Sequence, residues 1–284
     1  MIRSLFLLDP LRWYTRLPLK GAILGFTILA VCFPYPRLTL RHIDHWLDPN
    51  ALIRSDAPSL QPWVEELRTQ LPTDLPPQDK LRLVEQFVYT KVPYEWDWVT
   101  WGLSDYLPTV EEVVTQGKED CDGRAVIAAS LLRHFGFQTR IVTDFAHVWV
   151  QTDKGETMGP GKRKAVTATD KGFQIDWGAF AQVPEVLAYG VAVFPWPREA
   201  IVLLVAWWLL LDRSAGRPRV VLSLLLFIAA LLLMRIGGHD YWNPVRWMKG
   251  CGVITLAVTP LGLLLAGRRG KRLQQATADA ARIG

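Results

Sequence analysis

Four stretches of this chain carry no charged residue, and charge bounds each of them. They are Gly21–Pro36 (after Lys20, before Arg37), Ala200–Leu211 (Glu199, Asp212), Val220–Met234 (Arg219, Arg235) and Gly250–Gly267 (Lys249, Arg268-Arg269). Each lies near or below the ~17-residue minimum for a bilayer-spanning helix, so any one alone could be a buried soluble helix. Three crowd into the C-terminal third, however, and leave no polar face with which to build a soluble domain there. Four transmembrane helices are the expectation: 21–36, then three within 199–267. The first has a basic front like a secretory signal, but Cys32-Phe33-Pro34-Tyr35-Pro36 is no small-residue cleavage site, so it reads as an uncleaved signal anchor.

Charge supports this division. From Arg37 to Arg198 there are 17 Lys and Arg against 22 Asp and Glu, whereas the remainder is strongly basic. The basic residues outside the acidic block flank apolar runs instead of forming one patch, which argues against nucleic acid. With the N-terminus cytoplasmic, the inside segments 1–20, 212–219 and 268–284 hold 12 Lys and Arg, and the short outside loop holds three. The positive-inside rule then puts both termini, 1–20 and the basic tail 268–284, in the cytoplasm. The acidic domain 37–198 falls outside, with a bacterial inner membrane as the expected setting.

Within that domain, residues 38–78 are punctuated by prolines and read as loops with a short helix near 62–70. Apolar periodicity after Asp79 gives a helix ending before Pro93. Thr109 with Glu112 forms a capping box, and a longer helix runs from Cys121 to Phe135 with Gly136 as its stop. Alternation from Thr139 then marks strand through Ile141 and Thr143 and again from His147 to Thr152, with further strands at 156–158 and 173–177 and Lys154-Gly155 as a hairpin turn. Helices followed by an antiparallel sheet is an α+β order.

Cys32 and Cys251 fall in apolar runs, which leaves Cys121 as the domain's one thiol. In an oxidising compartment such a thiol is a hazard unless it is buried or used. It opens a helix, where unpaired N–H groups and the dipole favour thiolate, while Glu119, Asp120 and Asp122 push the other way. His147, at the start of a strand, is the candidate general base. A buried inert cysteine and a packed strand histidine are the plainer readings of each residue alone. Among other candidates, His42, Asp44 and His45 offer two imidazoles but no clear third ligand for a metal. Residues 155–162 miss the phosphate-loop spacing. Trp96, Trp98 and Trp101 cluster before the cysteine helix, as core or as the floor of a cleft.

The run Gly117-Lys-Glu-Asp-Cys-Asp-Gly-Arg-Ala-Val, the helix ending Leu131-Leu-Arg-His-Phe-Gly, and Ala146-His-Val-Trp-Val resemble the transglutaminase-like superfamily, a branch of the papain-like folds. The likeness covers about 80–177. It implies that Cys121 is the nucleophile, His147 the base, and an Asp the group that orients the imidazole. Members usually carry Asp-Pro a dozen or more residues after the histidine; here Met158-Gly159-Pro160 stands there. Asp176 is the candidate replacement, and Gln116 a candidate oxyanion donor. The resemblance implies a membrane-anchored thiol enzyme acting on amide bonds of extracytoplasmic peptides or proteins, with hydrolysis favoured over transfer to an amine. The alternative is a catalytically inactive binding or assembly module. No cofactor or metal is expected; the expected partners are substrate, the lipid bilayer and another membrane protein.

Overall fold

The computed structural model describes residues 13–259, apart from 73, 145, 160, 162–163, 170–171, 212–216, 240–244 and 246. The chain divides into two units: residues 33–183, and the segments on either side of them.

The flanking unit is helical. Helix α1 (Trp13–Cys32) starts earlier than its apolar core, carrying Arg16, Pro18 and Lys20 in its first turns. It stops at Cys32, two residues before Pro34, because a proline disfavours helix in the residue preceding it.

In the second unit, α2 (Pro36–Leu47) and α3 (Gln61–Gln70) precede α4 (Pro77–Lys91), the four-residue α5 (Asp97–Thr100), α6 (Val110–Gln116) and α7 (Cys121–His134). Five strands follow: β1 (Thr139–Thr143), β2 (Val148–Thr152), β3 (Gly155–Thr157), β4 (Val166–Thr169) and β5 (Gly172–Ile175). They form one sheet in the order β3-β2-β1-β4-β5, antiparallel throughout. The domain is α+β, as its sequence order implies. Strand β4 is the element the sequence reading does not include: Val166-Thr-Ala-Thr alternates, but over only four residues.

Helix α7 is the centre of the core. Asp120 caps it by accepting the Asp122 N–H at 3.0 Å, and Gly136 (φ +89°) lies just past its end. Residues Ala125–Leu132 are all buried, against α4, α6 and the β1–β2 pair. The capping box of Thr109 and Glu112 starts α6, and Gly117 at φ +67° ends it. Gly123 allows the close approach of that turn: a Cβ there would sit 2.3 Å from Glu119 Cγ and 2.8 Å from Val113 Cγ2.

The flanking unit resumes with α8 (Val183–Val193), α9 (Trp196–Leu210), α10 (Arg217–Gly238) and α11 (Trp247–Thr259). Among the described residues the spans are two or three, not clearly four. Two helices there are long and apolar enough to cross a membrane, Tyr14–Cys32 and Pro218–Gly238. A third span requires Trp177–Val193 and Trp196–Leu210 together, which bend by 120° at their junction. Pro195 and Pro197 explain the break, since neither has an N–H to continue the helix. The fourth run is helical over Trp247–Thr259, too short alone, and 260–267 lies outside the described residues. Charges at the run ends pair with each other: Arg235 donates to Glu199 at 2.9 Å and to the Phe194 carbonyl at 2.7 Å, and Lys249 lies 3.2 Å from Glu185.

Candidate active site

The cysteine is placed by the loop that precedes α7. Glu119 donates its N–H to Pro93 O at 3.1 Å and accepts the Glu95 N–H at 3.2 Å, which ties the loop to the chain leaving α4. Its buried carboxylate accepts from the Trp101 indole and from Asp120 N. Cys121 is then the first residue of α7, half-buried, with its thiol donating to Asp122 Oδ1 at 3.3 Å. The backbone N–H of Val148, next in sequence to His147, donates to the sulfur. The N-terminus of α7 and the start of β2 therefore meet at Cys121.

The electrostatics there run against thiolate. Burial pushes the thiol well above its ordinary value, and the Asp120 and Asp122 carboxylates push it further; the Val148 N–H offsets only part. The helix-terminus effect named from sequence is outweighed. The neighbouring carboxyls are displaced too: burial raises Asp97, Asp120 and Asp122 first, and nearby carboxylates raise them further (Asp120 for Asp97, Glu119 for Asp120, Asp105 for Asp122), while burial lifts Glu119 to about 7.

His147 is held by its backbone and its ring. Asp144 Oδ1 accepts the N–H groups of Ala146 (3.1 Å) and His147 (3.0 Å), fixing the β1–β2 turn. The ring Nε2 lies 3.0 Å from the Met158 carbonyl, and the ring stacks on Trp149 at 6.3 Å between centroids. Since a carbonyl can only accept, Nε2 carries the proton and Nδ1 is the basic nitrogen.

Met158 makes that bond from a left-handed backbone, φ +62°, uncommon for a residue with a side chain. The next position explains the absent aspartate. A Cβ at Gly159 would lie 2.8 Å from Trp149 Cδ1 and 3.0 Å from its Nε1. Trp149 itself is fully buried and donates to Glu156 at 2.9 Å.

Asp176 is elsewhere. The register aligns Val148, Thr143, Val166 and Ile175 across the sheet, so His147 and Asp176 share an end of it but stand three strands apart. At ~4.8 Å per strand that is roughly 14 Å. Asp176 caps the following 3₁₀ turn through Gly178 N at 2.9 Å and lines a cleft with Arg140 and Gln151. Gln116 is the exposed last residue of α6. His42 and His45 do not point at one ion: both ring Nδ1 atoms bond the backbone of Leu107.

Residues 63–172 match the family model of the transglutaminase-like superfamily. This segment is a transglutaminase-like domain. No curated protein matches the chain. Cys121, His147 and Gly159 all lie inside the matched segment of the transglutaminase-like domain, and Asp176 lies beyond it. What sequence reasoning missed is a backbone oxygen, that of Met158, and the carboxylates of Asp97 and Asp105, which join the Cys121 loop from 24 and 16 residues upstream. No local motif announces either; the left-handed Met158 is visible only in the fold.

Proposed function

We propose that the chain is a membrane-anchored thiol enzyme that cleaves amide bonds of peptide or protein substrates outside the cytoplasm. The observation that carries this is the imidazole tautomer: Nε2 on the Met158 carbonyl leaves Nδ1 basic, on the residue beside the amide that donates to the Cys121 sulfur. With its thiol protonated, Cys121 attacks as His147 takes the proton, a general-base reaction and not a pre-formed ion pair. The sulfur bonds to the carbonyl carbon and the proton passes from thiol to Nδ1. It is then returned to the leaving amine as the C–N bond breaks. Water, deprotonated by the same nitrogen, releases the acyl group and frees the thiol. As the first residue of α7, Cys121 has an N–H with no intrahelical acceptor, placed to stabilise the oxyanion.

The helices anchor this domain. Four passes, with both termini in the cytoplasm and the catalytic domain in the periplasm, follow from the Lys and Arg distribution. The two apolar helices α1 and α10 support the anchoring.

The test uses the full chain in detergent with a pool of unstructured peptides, in heavy-oxygen water and with a primary amine added. Hydrolysis puts heavy oxygen into new carboxyl ends, and acyl transfer incorporates the amine instead. Cys121→Ala abolishes either product. Turnover that persists in Cys121→Ala defeats the proposal. A second reading, a binding module without catalysis, is favoured by the raised thiol and by the neutral Met158 carbonyl at His147 Nε2. Peptide retention without product formation would establish it.

A further inference from the structure

Helix α7 carries a cation one turn beyond its cysteine. Arg124 follows Cys121 by three residues, so the two share a face of the helix with Cβ atoms about 5–6 Å apart. The arginine is half-buried, and its charge acts on the thiol.

The guanidinium is fixed from three sides. Its Nε donates at 2.9 Å to the carbonyl of Val92, the residue that ends α4. Its central carbon lies 4.9 Å from the centre of the Tyr89 ring and 5.0 Å from that of Tyr94. Tyr89 belongs to the last turn of α4, and Tyr94 stands between Pro93 and Glu95, the residues that Glu119 ties to the start of α7. The clamp and the nucleophile therefore share one framework. Trp96 stiffens it, edge-on to Tyr94 at 5.1 Å and stacked on Trp98 at 4.6 Å. Burial, and then the Glu85 carboxylate, push Tyr89 up to about 12, so the ring beside the guanidinium is a neutral phenol at physiological pH.

The terminal nitrogens of Arg124 are unspent. Among the described residues, neither Nη makes a hydrogen bond or an ion pair. Lys118, the other cation of this region, is paired with Glu95 at 3.3 Å. Both tyrosine rings are exposed, so the open end of the fork faces solvent and not the core. A guanidinium already held in place loses little freedom on binding, and its planar fork matches a carboxylate.

We propose that Arg124, clamped by Tyr89 and Tyr94, binds a carboxylate of the substrate, so that the amide bonds cleaved at Cys121 adjoin an acidic residue. The inference rests on the thiol-enzyme reading above and adds the substrate class to it. The offset fits: consecutive Cα atoms lie about 3.8 Å apart, so an Asp or Glu next to the scissile bond reaches one helical turn from the sulfur.

The test gives the full chain in detergent two pools of unstructured peptides, identical except that Asn and Gln in one replace Asp and Glu in the other. Turnover is read from heavy oxygen or amine in the products, and binding from peptide retained by Cys121→Ala. The acidic pool should show an apparent KM lower by about tenfold, the worth of a charge-assisted bond, and should be retained in preference. Arg124→Gln should bring the ratio between the pools close to one, and Arg124→Lys, which keeps the charge but not the fork, should restore part of it. An arginine that only caps Val92 would depress both pools alike and leave their ratio standing. If neither pool is turned over, the enzyme reading fails, while acid-selective retention that Arg124→Gln removes still upholds the subsite. Equal turnover and equal retention of the two pools in the parent, or a preference that survives Arg124→Gln, overturns it.

Discussion

The ring Nε2 of His147 lies 3.0 Å from the backbone carbonyl of Met158, one residue before Gly159, where the family's sequence pattern leads one to look for an aspartate. A carbonyl and a carboxylate both accept a proton from Nε2, and both therefore leave Nδ1 as the base. They differ in charge. A carboxylate stabilises an imidazolium as it forms, and a neutral carbonyl does so less. Together with the raised thiol of Cys121, this favours a proton transferred during attack over a standing thiolate–imidazolium pair.

Restoring the aspartate should therefore fail. In Gly159→Asp the new Cβ meets the buried Trp149 ring at 2.8 Å, and the ring is pinned by its bond to Glu156. Overpacking of this kind costs about 1–3 kcal/mol. Chemical denaturation should show a loss of that order, and peptide turnover should fall. A variant as stable as the parent with faster turnover would mean that the carbonyl is a poor substitute and the site can repack.

Asp176→Asn gives a contrasting outcome. About 14 Å of sheet separates this residue from His147, so turnover and Cys121 labelling should match the parent. Its cap on Gly178 is retained in part by the amide oxygen, which limits the stability change to a few tenths of a kcal/mol. A tenfold or larger loss of turnover would place Asp176 in the catalytic machinery after all.

The pH dependence of thiol labelling follows from the direction of its shift. An acid whose value is raised stays protonated at neutral pH, so iodoacetamide should label Cys121 slowly at pH 7. The rate should still be climbing above the ordinary cysteine value of about 8.5. Cys32→Ser and Cys251→Ser remove the other thiols from the signal. The same shift makes stability fall as pH rises past that ordinary value, because the unfolded chain ionises its thiol first. A labelling plateau below pH 7 would show a thiolate and defeat the general-base description.

The legible parts of this fold were those written in local pattern. The capping box at Thr109, the glycine stop at Gly136 and the alternation through Val148–Thr152 each fix one element within a few residues. The placement of Cys121 and His147 was readable for a related reason: each sits at an element boundary that its neighbours mark. Asp176 misled because distance along the chain says nothing of strand order, and the alternation of β4, the strand between β1 and β5, runs over only four residues. Two or three spans, not clearly four, stand out among the described residues, because uncharged length does not register Pro195 and Pro197, which bend the third candidate.

The buried ion pair of the helical unit yields the last prediction. Glu199 is 8% exposed, near the start of α9, and Arg235 answers it from the last turn of α10 with further bonds to the Ala192 and Phe194 carbonyls. Removing only the arginine leaves a buried carboxylate and two carbonyls without their donor, a loss of about 3–5 kcal/mol for a buried pair broken on one side. Arg235→Leu should thus melt well below the parent in detergent. The double variant Glu199→Gln with Arg235→Leu removes the stranded charge and should recover most of the difference, since replacing both partners is often near neutral. If the double variant melts no higher than Arg235→Leu, the carbonyl contacts hold α10 and the ion pair is incidental.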